Sequence, residues 1–215
     1  MPTLDDRPAT ESPATPRAAG KSRAAILTVL IAAAVLLTAD LVTKKLAFDR
    51  LVISQFGQPP QRVVIESRTV EAIPGWLHFH ATANQGAVFG LGQGKRWLFL
   101  LVSVGAVAFL AYLFASTREN QWPAHLLVAM FLAGVLGNMF DRLTLGYVRD
   151  MIFGLPGFVW PGTWQIPILN YPDAHDRHVF PWIFNLADSY LCVGVTIVLV
   201  HAVWPHRKRH PEPSE

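Results

Sequence analysis

Residues 97–117 read WLFLLVSVGAVAFLAYLFAST and contain no Asp, Glu, Lys or Arg. A helix that crosses the hydrocarbon core of a bilayer needs about 20 consecutive apolar residues, so this stretch is long enough to span it. A second run without formal charge, residues 120–140, follows after only Arg118 and Glu119. A connection this short predicts a tight turn between two antiparallel transmembrane helices.

Two further apolar stretches lie on either side of this pair. Residues 24–39 are apolar and meet Asp40, while residues 189–206 follow Asp188 and carry no formal charge. Basic residues precede the first stretch, as in a signal peptide. The run is nevertheless long for the apolar part of a signal peptide, and it continues as LVTKKLAF. We therefore expect four transmembrane helices.

The composition agrees with a membrane protein. The 215 residues are 52% hydrophobic and only 15% charged, which leaves too little charge to cover the surface of a soluble domain. The net charge is +3 and no long basic run is present, so nucleic-acid binding is not expected. The single cysteine, Cys192, excludes an internal disulfide.

The charges that flank the spans predict the orientation. Four spans place both termini on one side, and the positive-inside rule makes that side cytoplasmic. We expect a disordered basic cytoplasmic tail over 1–22, a four-helix transmembrane domain over 23–206 with a long extracytoplasmic loop over 152–180, and a cytoplasmic tail over 207–215. The basic flanking residues on this side are Arg17, Lys21, Arg23, Arg118, Arg207, Lys208 and Arg209.

The two extracytoplasmic segments differ in character. Between spans 1 and 2, QRVVIES (61–67) and GWLHFHA (75–81) alternate in part between apolar and polar residues, which predicts a small β element. The segment between spans 3 and 4 is rich in Pro, Gly and Trp. We interpret it as an irregular loop whose Trp160, Trp164 and Tyr171 lie at the lipid headgroups. The expected fold class is an all-α membrane protein: four transmembrane helices with a small extracytoplasmic β element between helices 1 and 2.

This topology brings the polar residues of the spans into one leaflet. An ionisable group at membrane depth is costly, so such groups are candidates for function. A structural ion pair and a polar seam between helices are the alternatives. The residues are Asp40 and Lys44, four apart in span 1; Asn138, Asp141 and Arg142, at the end of span 3; and Asn185 and Asp188, three apart at the start of span 4.

Two carboxylates from adjacent spans form the candidate catalytic pair. Asp150 follows span 3 and Asp188 begins span 4. Two carboxylates that lie close together cannot both ionise easily, so one retains a proton while the other acts as a base toward water. This pattern predicts an aspartyl hydrolase. Asp141 is an alternative to Asp150, but it is adjacent to Arg142 and is better suited to a structural ion pair.

Four sequence blocks add a family resemblance. They are TADLVTKKLAF (38–48), NQGAVFG (84–90), GNMFDRLTLGYVRDMI (137–152) and FNLADSY (184–190). In this order and with this spacing relative to the spans, they resemble the blocks of the lipoprotein signal peptidases. That family comprises the type II signal peptidases of bacteria, which are intramembrane aspartic proteases with four transmembrane helices.

The resemblance implies removal of signal peptides from prolipoproteins, by cleavage before a cysteine that carries diacylglyceryl. It implies that Asp150 and Asp188 are the catalytic dyad and that neither a metal nor another cofactor is used. Region 23–206 would then be a peptidase domain in the bacterial cytoplasmic (inner) membrane, in contact with membrane lipid, with its active site toward the extracytoplasmic face. A monomer is expected. The residues implied to bind substrate or support the site are Asn84, Gly86, Asn138, Arg142, Asn185, Asp40 and Lys44.

The stretch between Asp150 and Asn185 is longer than is usual in that family. The extra residues lie around FGLPGFVWPGTWQIPILNYPDAHDRH (153–178) and are rich in aromatics. Our hypothesis is a lid or membrane-surface flap over the substrate groove. A neutral loop insertion is the alternative, because surface loops tolerate changes in length.

Other chemistries have less support. No His-Glu-x-x-His motif is present, and His78 with His80 or His175 with His178 lack an obvious third metal ligand. No Gly-x-Ser-x-Gly elbow indicates a serine hydrolase. A small transporter or channel remains an alternative, because buried Asp and Arg also line ion paths. A conduit predicts polar residues along whole helices, however, and spans 2 and 4 are nearly without them toward the cytoplasm.

Overall fold

The computed structural model describes residues 16–86, 95–160 and 178–204. Within these ranges it contains four long helices: α1 (Arg23–Leu51), α2 (Arg96–Ser116), α3 (Trp122–Thr144) and α4 (Leu186–Val203). Each is long and apolar enough to cross a membrane, which confirms the four spans predicted from the uncharged runs. Only five residues separate α2 from α3, as expected for a helical hairpin.

The helix α3 is the central element of the bundle and packs against α1, α2 and α4. The apolar core is small, because most side chains of the outer helices face away from the bundle; Leu101 of α2, for example, is 69% exposed. In a bilayer such side chains contact lipid, so their exposure is not a defect in packing. The core consists of Val29, Ala33, Leu110, Val128 and Ala129.

In the described parts of the chain, six strands form two antiparallel sheets. The first sheet is a hairpin of β1 and β2, and the second has the order β3-β4-β5-β6. Four strands lie between α1 and α2, and two lie between α3 and α4. Their bounds are β1 Val52–Phe56, β2 Val64–Ser67, β3 Thr69–Ile73, β4 Leu77–Asn84, β5 Val148–Gly154 and β6 Ile183–Phe184.

The sheet corrects three expectations from the sequence. The description all-α is too narrow, and the β element is not confined to the segment between helices 1 and 2, because β5 and β6 complete the larger sheet. The interpretation of the segment 142–180 as an irregular loop is therefore wrong for β5, whereas β6 lies just beyond that segment. Gly146, with φ +81°, turns the chain at the end of α3 so that β5 can pair with β4.

Some expectations fall outside the described residues. Residues 161–177, which include Trp164, Tyr171 and most of the predicted lid, are among them, as are residues 1–15 and 205–215 of the predicted tails. Of the N-terminal tail, residues 16–22 are described. Ala19–Lys21 forms a short 3-10 helix, and the backbone N–H of Ala19 donates to the carbonyl of Thr117 at 2.9 Å.

Candidate active site

Asp150 lies near the middle of β5, and two asparagine side chains hold its carboxylate. In the pairing of β4 with β5, Asn84 stands opposite Val148, which places the Asn84 side chain on the same sheet face as Asp150. Nδ2 of Asn84 donates to Oδ2 of Asp150 at 3.0 Å, and Nδ2 of Asn185 donates to Oδ1 at 2.6 Å. Only 2% of Asp150 is exposed, so these amides replace most of its contact with water.

Asp188 lies in the first turn of α4, where it forms a capping box with Asn185. Oδ1 of Asn185 accepts from the backbone N–H of Asp188 at 3.1 Å, and Oδ2 of Asp188 accepts from the backbone N–H of Asn185 at 3.2 Å. Oδ1 of Asp188 accepts from Nδ2 of Asn138 at 2.8 Å. Asp188 thus lies at the positive end of the α4 helix dipole.

Groups that can only donate hydrogen bonds fix the orientation of all three asparagine amides. Oδ1 of Asn138 accepts from the Lys44 ammonium at 3.0 Å, and Oδ1 of Asn84 accepts from the backbone N–H of Gly86 at 3.0 Å. Oδ1 of Asn185 accepts from the capping-box N–H. Because ammonium and backbone N–H groups have no acceptor, each amide presents its NH₂ group to a carboxylate.

Behind the amides lies a fully buried group of charges. Nζ of Lys44 is 2.8 Å from Oδ2 of Asp40 and 3.6 Å from Oδ2 of Asp141, and all three side chains are inaccessible to solvent. The ion pair expected from the four-residue spacing of Asp40 and Lys44 is therefore present. Oδ1 of Asp40 accepts from the backbone N–H of Ala187 at 2.9 Å, which ties α1 to the start of α4.

A glycine allows α1, α3 and α4 to converge at this group. A Cβ atom added at Gly137 of α3 would collide with Oδ2 of Asp40 and would lie 3.3 Å from Cβ of Ala187. A larger residue at this position would have to displace the Asp40 carboxylate from its contacts or push the helices apart.

Asp141 has the structural ion pair expected from the sequence, but its partners are Arg149 and Lys44, not its neighbour Arg142. Consecutive residues of a helix point about 100° apart, which directs Arg142 elsewhere. Nη2 of Arg142 donates to the carbonyl of Gly86 at 3.2 Å, and its guanidinium lies 4.8 Å from the centre of the Phe99 ring. Arg142 thus joins the end of α3 to the segment after β4 and to α2.

Most residues singled out in the sequence thus lie in one connected network at one end of the bundle. Arg149 was not among them. Its partner Asp141 lies eight residues earlier, across the turn at Gly146, and only the placement of β5 brings the two together. The residues of the network are Asp150, Asp188, Asn84, Asn138, Asn185, Lys44, Asp40 and Asp141, with Arg142 and Gly86 at its edge.

The electrostatics of Asp150 suit an acid that retains its proton. Burial, and next the nearby carboxylate of Asp188, hold the pKa of Asp150 well above its usual range. The amides of Asn84 and Asn185 lower the pKa in part, because they donate to the charged form. A buried carboxyl beside a second carboxylate is one arrangement that supports general acid and base catalysis on water.

His78 and His80, considered above as metal ligands, lie on β4. The hydroxyls of Ser67 and Thr69 lie 3.2 and 2.9 Å from Nδ1 of His80. Among the described residues, no three His, Cys, Asp or Glu side chains are grouped so that they could hold a metal ion.

Comparisons with known proteins show the family of this chain. The family model of signal peptidase (SPase) II matches residues 32–204. The lipoprotein signal peptidase of Lactiplantibacillus plantarum is 34% identical over 60% of this chain and 70% of its own length. That of Teredinibacter turnerae is 29% identical over 74% of this chain and 77% of its own length.

A solved structure also has this fold. It is a bacterial membrane enzyme determined by the in meso method at 2.3 Å resolution, with a TM-score of 0.59 and 24% sequence identity. The match covers 86% of this chain and 96% of that chain. From the extent of the family match, this chain belongs to the signal peptidase II family of bacterial membrane peptidases.

Proposed function

We propose that this protein removes signal peptides from prolipoproteins by cleaving the peptide bond before a diacylglyceryl-modified cysteine, with Asp150 and Asp188 as its catalytic dyad. Family membership and the relatives named lipoprotein signal peptidase support the substrate class. The observation that carries the assignment of the dyad is that the three amides, each oriented by a donor-only group, converge on these two carboxylates.

The proposed mechanism uses one water molecule between the two carboxyl groups. Asp150, whose pKa is raised, begins as the protonated member, and Asp188, at the positive end of α4, begins as the base. As water attacks the scissile carbonyl carbon, Asp188 accepts a water proton and Asp150 donates its proton to the carbonyl oxygen. The C–N bond of the resulting diol then breaks as Asp188 gives its proton to the leaving nitrogen, and Asp150 recovers its own from the diol.

The site is proposed to face the extracytoplasmic side, with both termini in the cytoplasm. The C-terminal part of α1, the end of α3 and the start of α4 all contribute residues to the network, so the site lies at one end of the bundle. The basic flanks, including Arg17 and Arg118, belong to the other end, which the positive-inside rule makes cytoplasmic. Exposed apolar faces of the helices beside the site would hold the lipid of the substrate.

The transporter alternative is not favoured. A conduit needs polar groups along its length, whereas the buried charges of the described helices cluster at one end. The described parts of α2 and α4 are almost entirely apolar away from that end.

The substrate class is tested with two forms of one prolipoprotein. The purified full-length protein in detergent is given the prolipoprotein with and without the diacylglyceryl group on its cysteine. We expect cleavage of the modified form at the bond before the cysteine and little cleavage of the unmodified form. Equal cleavage of both forms, or cleavage at another bond, would refute the proposed substrate.

A further inference from the structure

Arg149, which precedes Asp150 in β5, holds the carboxylate of Asp141 with both its side chain and its main chain. Its Nη2 donates to Oδ1 at 2.6 Å, and its Nε lies 3.1 and 3.2 Å from the two oxygens. Its backbone N–H donates to Oδ2 at 3.0 Å. Asp141 is fully buried and the Arg149 side chain is 14% exposed, so water competes little for this contact.

This contact clamps the end of α3 to the strand that carries Asp150. Asp141 lies in the last turn of α3, where its carbonyl accepts from the N–H of Leu145, and the chain then turns at Gly146 into β5. Successive residues of a strand point to opposite faces, so Arg149 is directed toward Asp141 while Asp150 is directed toward the asparagine amides. Arg149 therefore fixes the backbone beside Asp150 without contacting the reacting atoms.

The clamp also balances the buried charges. Asp40 and Asp141 are acids and Lys44 and Arg149 are bases, so the group is formally neutral. Without Arg149 it would carry one uncompensated negative charge in a buried site, where charges are screened poorly. That charge would draw the Lys44 ammonium toward Asp141.

The Lys44 ammonium also orients the amide that holds Asp188. It donates to Oδ1 of Asn138 at 3.0 Å, and Nδ2 of Asn138 donates to Asp188 at 2.8 Å. A shift of Lys44 toward Asp141 would weaken the first of these bonds and release the amide from its fixed orientation. Arg149 thus affects Asp150 through the backbone and Asp188 through Lys44 and Asn138.

We propose that Arg149 is a positioning residue for the catalytic dyad: it sets the backbone of Asp150 and keeps the Asp40–Lys44–Asp141 group neutral. This inference rests on the proposed function.

Removing the positive charge of Arg149 makes ionisation of a nearby carboxylate harder, so the pH range of activity moves upward. The charged and titratable groups around the dyad and the buried charges are Asp40 and Lys44 of α1, Asp141 and Arg142 of α3, Tyr147 just before β5, Arg149 of β5, and Tyr190 of α4.

The test compares three variants of the full-length protein in detergent, with kcat and KM measured across pH on the diacylglyceryl-modified prolipoprotein. Arg149→Met removes the charge and the fork of N–H donors, whereas Arg149→Lys keeps the charge alone. The double variant Asp141→Asn with Arg149→Met removes one charge of each sign, so the buried group stays neutral. Lys45→Met is the control, since Lys45 is 71% exposed and its ion-pair partner among the described residues is the exposed Asp49.

We expect Arg149→Met to lower kcat about tenfold or more, with KM changed less than about threefold, because substrate binding is not the step affected. Its kcat/KM profile should move upward by about half a pH unit or more. Arg149→Lys and the double variant should have the wild-type pH profile but a reduced kcat, because both lack the guanidinium contacts of the clamp and keep at most the backbone N–H of residue 149. Lys45→Met should match the wild type.

Several results would overturn this inference. The inference is wrong if Arg149→Met keeps the wild-type kcat and the wild-type pH profile. It is also wrong if the pH profile of the double variant is shifted as far as that of Arg149→Met. If Arg149→Met does not fold, full wild-type kcat in Arg149→Lys would equally refute the clamp. A wild-type protein that cleaves no prolipoprotein would instead refute the proposed function, and this inference would fall with it.

Discussion

Nζ of Lys44 lies 3.0 Å from Oδ1 of Asn138 and thereby determines which end of that amide faces Asp188. A fully buried ammonium in a membrane helix is costly unless it is paired, and Asp40 supplies the pairing at 2.8 Å. The ion pair therefore has a role beyond holding helices together, because it orients a hydrogen-bond donor of the candidate dyad.

The first prediction compares two neighbouring lysines. Lys44→Met leaves the buried carboxylate of Asp40 without its partner and should lower the free energy of unfolding by about 3–5 kcal/mol. Lys45→Met breaks an exposed ion pair with Asp49 and should cost less than about 1 kcal/mol. Denaturant unfolding in detergent measures both. An equal decrease in the free energy of unfolding in both variants would contradict the conclusion that the buried ion pair of Lys44 and Asp40 stabilises the fold.

The second prediction separates the two roles of Asn185. Asn185→Ser retains a side-chain acceptor for the start of α4, whereas Asn185→Ala does not, so the alanine variant should be less stable by about 1 kcal/mol. Both lose the amide that donates to Asp150 at 2.6 Å, and kcat should fall about 10- to 100-fold in both. Steady-state cleavage and unfolding measurements check the two effects. A serine variant with wild-type kcat would show that the amide is dispensable.

The third prediction concerns stability and pH. Because the folded-state pKa of Asp150 is raised above its unfolded value of about 4, folding favours the protonated form. The contribution of Asp150 is therefore most favourable at acidic pH and is lost as the pH rises toward the folded pKa. Asp150→Asn, which carries no charge, should be more stable than the wild type near neutral pH and above, with an advantage that shrinks as the medium is acidified.

Unfolding of the wild type and Asp150→Asn over a pH series tests this prediction. The difference in unfolding free energy between them should increase with pH. A difference that does not vary with pH, or one that decreases, would mean that the folded-state pKa of Asp150 is not raised.

The fourth prediction concerns helix packing and uses two glycines. Gly137→Ala places a Cβ atom against the Asp40 carboxylate and should lower the free energy of unfolding by about 1–3 kcal/mol. Gly105→Ala of α2 meets no atom within 4 Å and should be neutral or slightly stabilising, since alanine has the higher helix propensity. Unfolding in detergent measures both, and a Gly137→Ala variant as stable as Gly105→Ala would contradict the close approach of the helices.

The sequence predicts the features of this protein that depend on local patterns. Uncharged runs predicted the four helices, and the four-residue spacing of Asp40 and Lys44 predicted their ion pair, because both depend on helical geometry. Strand pairing between distant segments was not predicted. The strands β5 and β6, and with them the partner of Asp141, follow from the register of β5 on β4, and short strand patterns contain little information about their partners.

The central claim is that Asp150 and Asp188 together carry out the hydrolysis. The most direct measurement is cleavage of the diacylglyceryl-modified prolipoprotein by purified wild type, Asp150→Asn and Asp188→Asn in detergent, with a chelator control and a check that each variant is folded. We predict that both folded variants lose nearly all activity and that the chelator has no effect on the wild type. A folded variant of either residue that keeps most of the wild-type rate would contradict the dyad and would make Asp141 the next candidate.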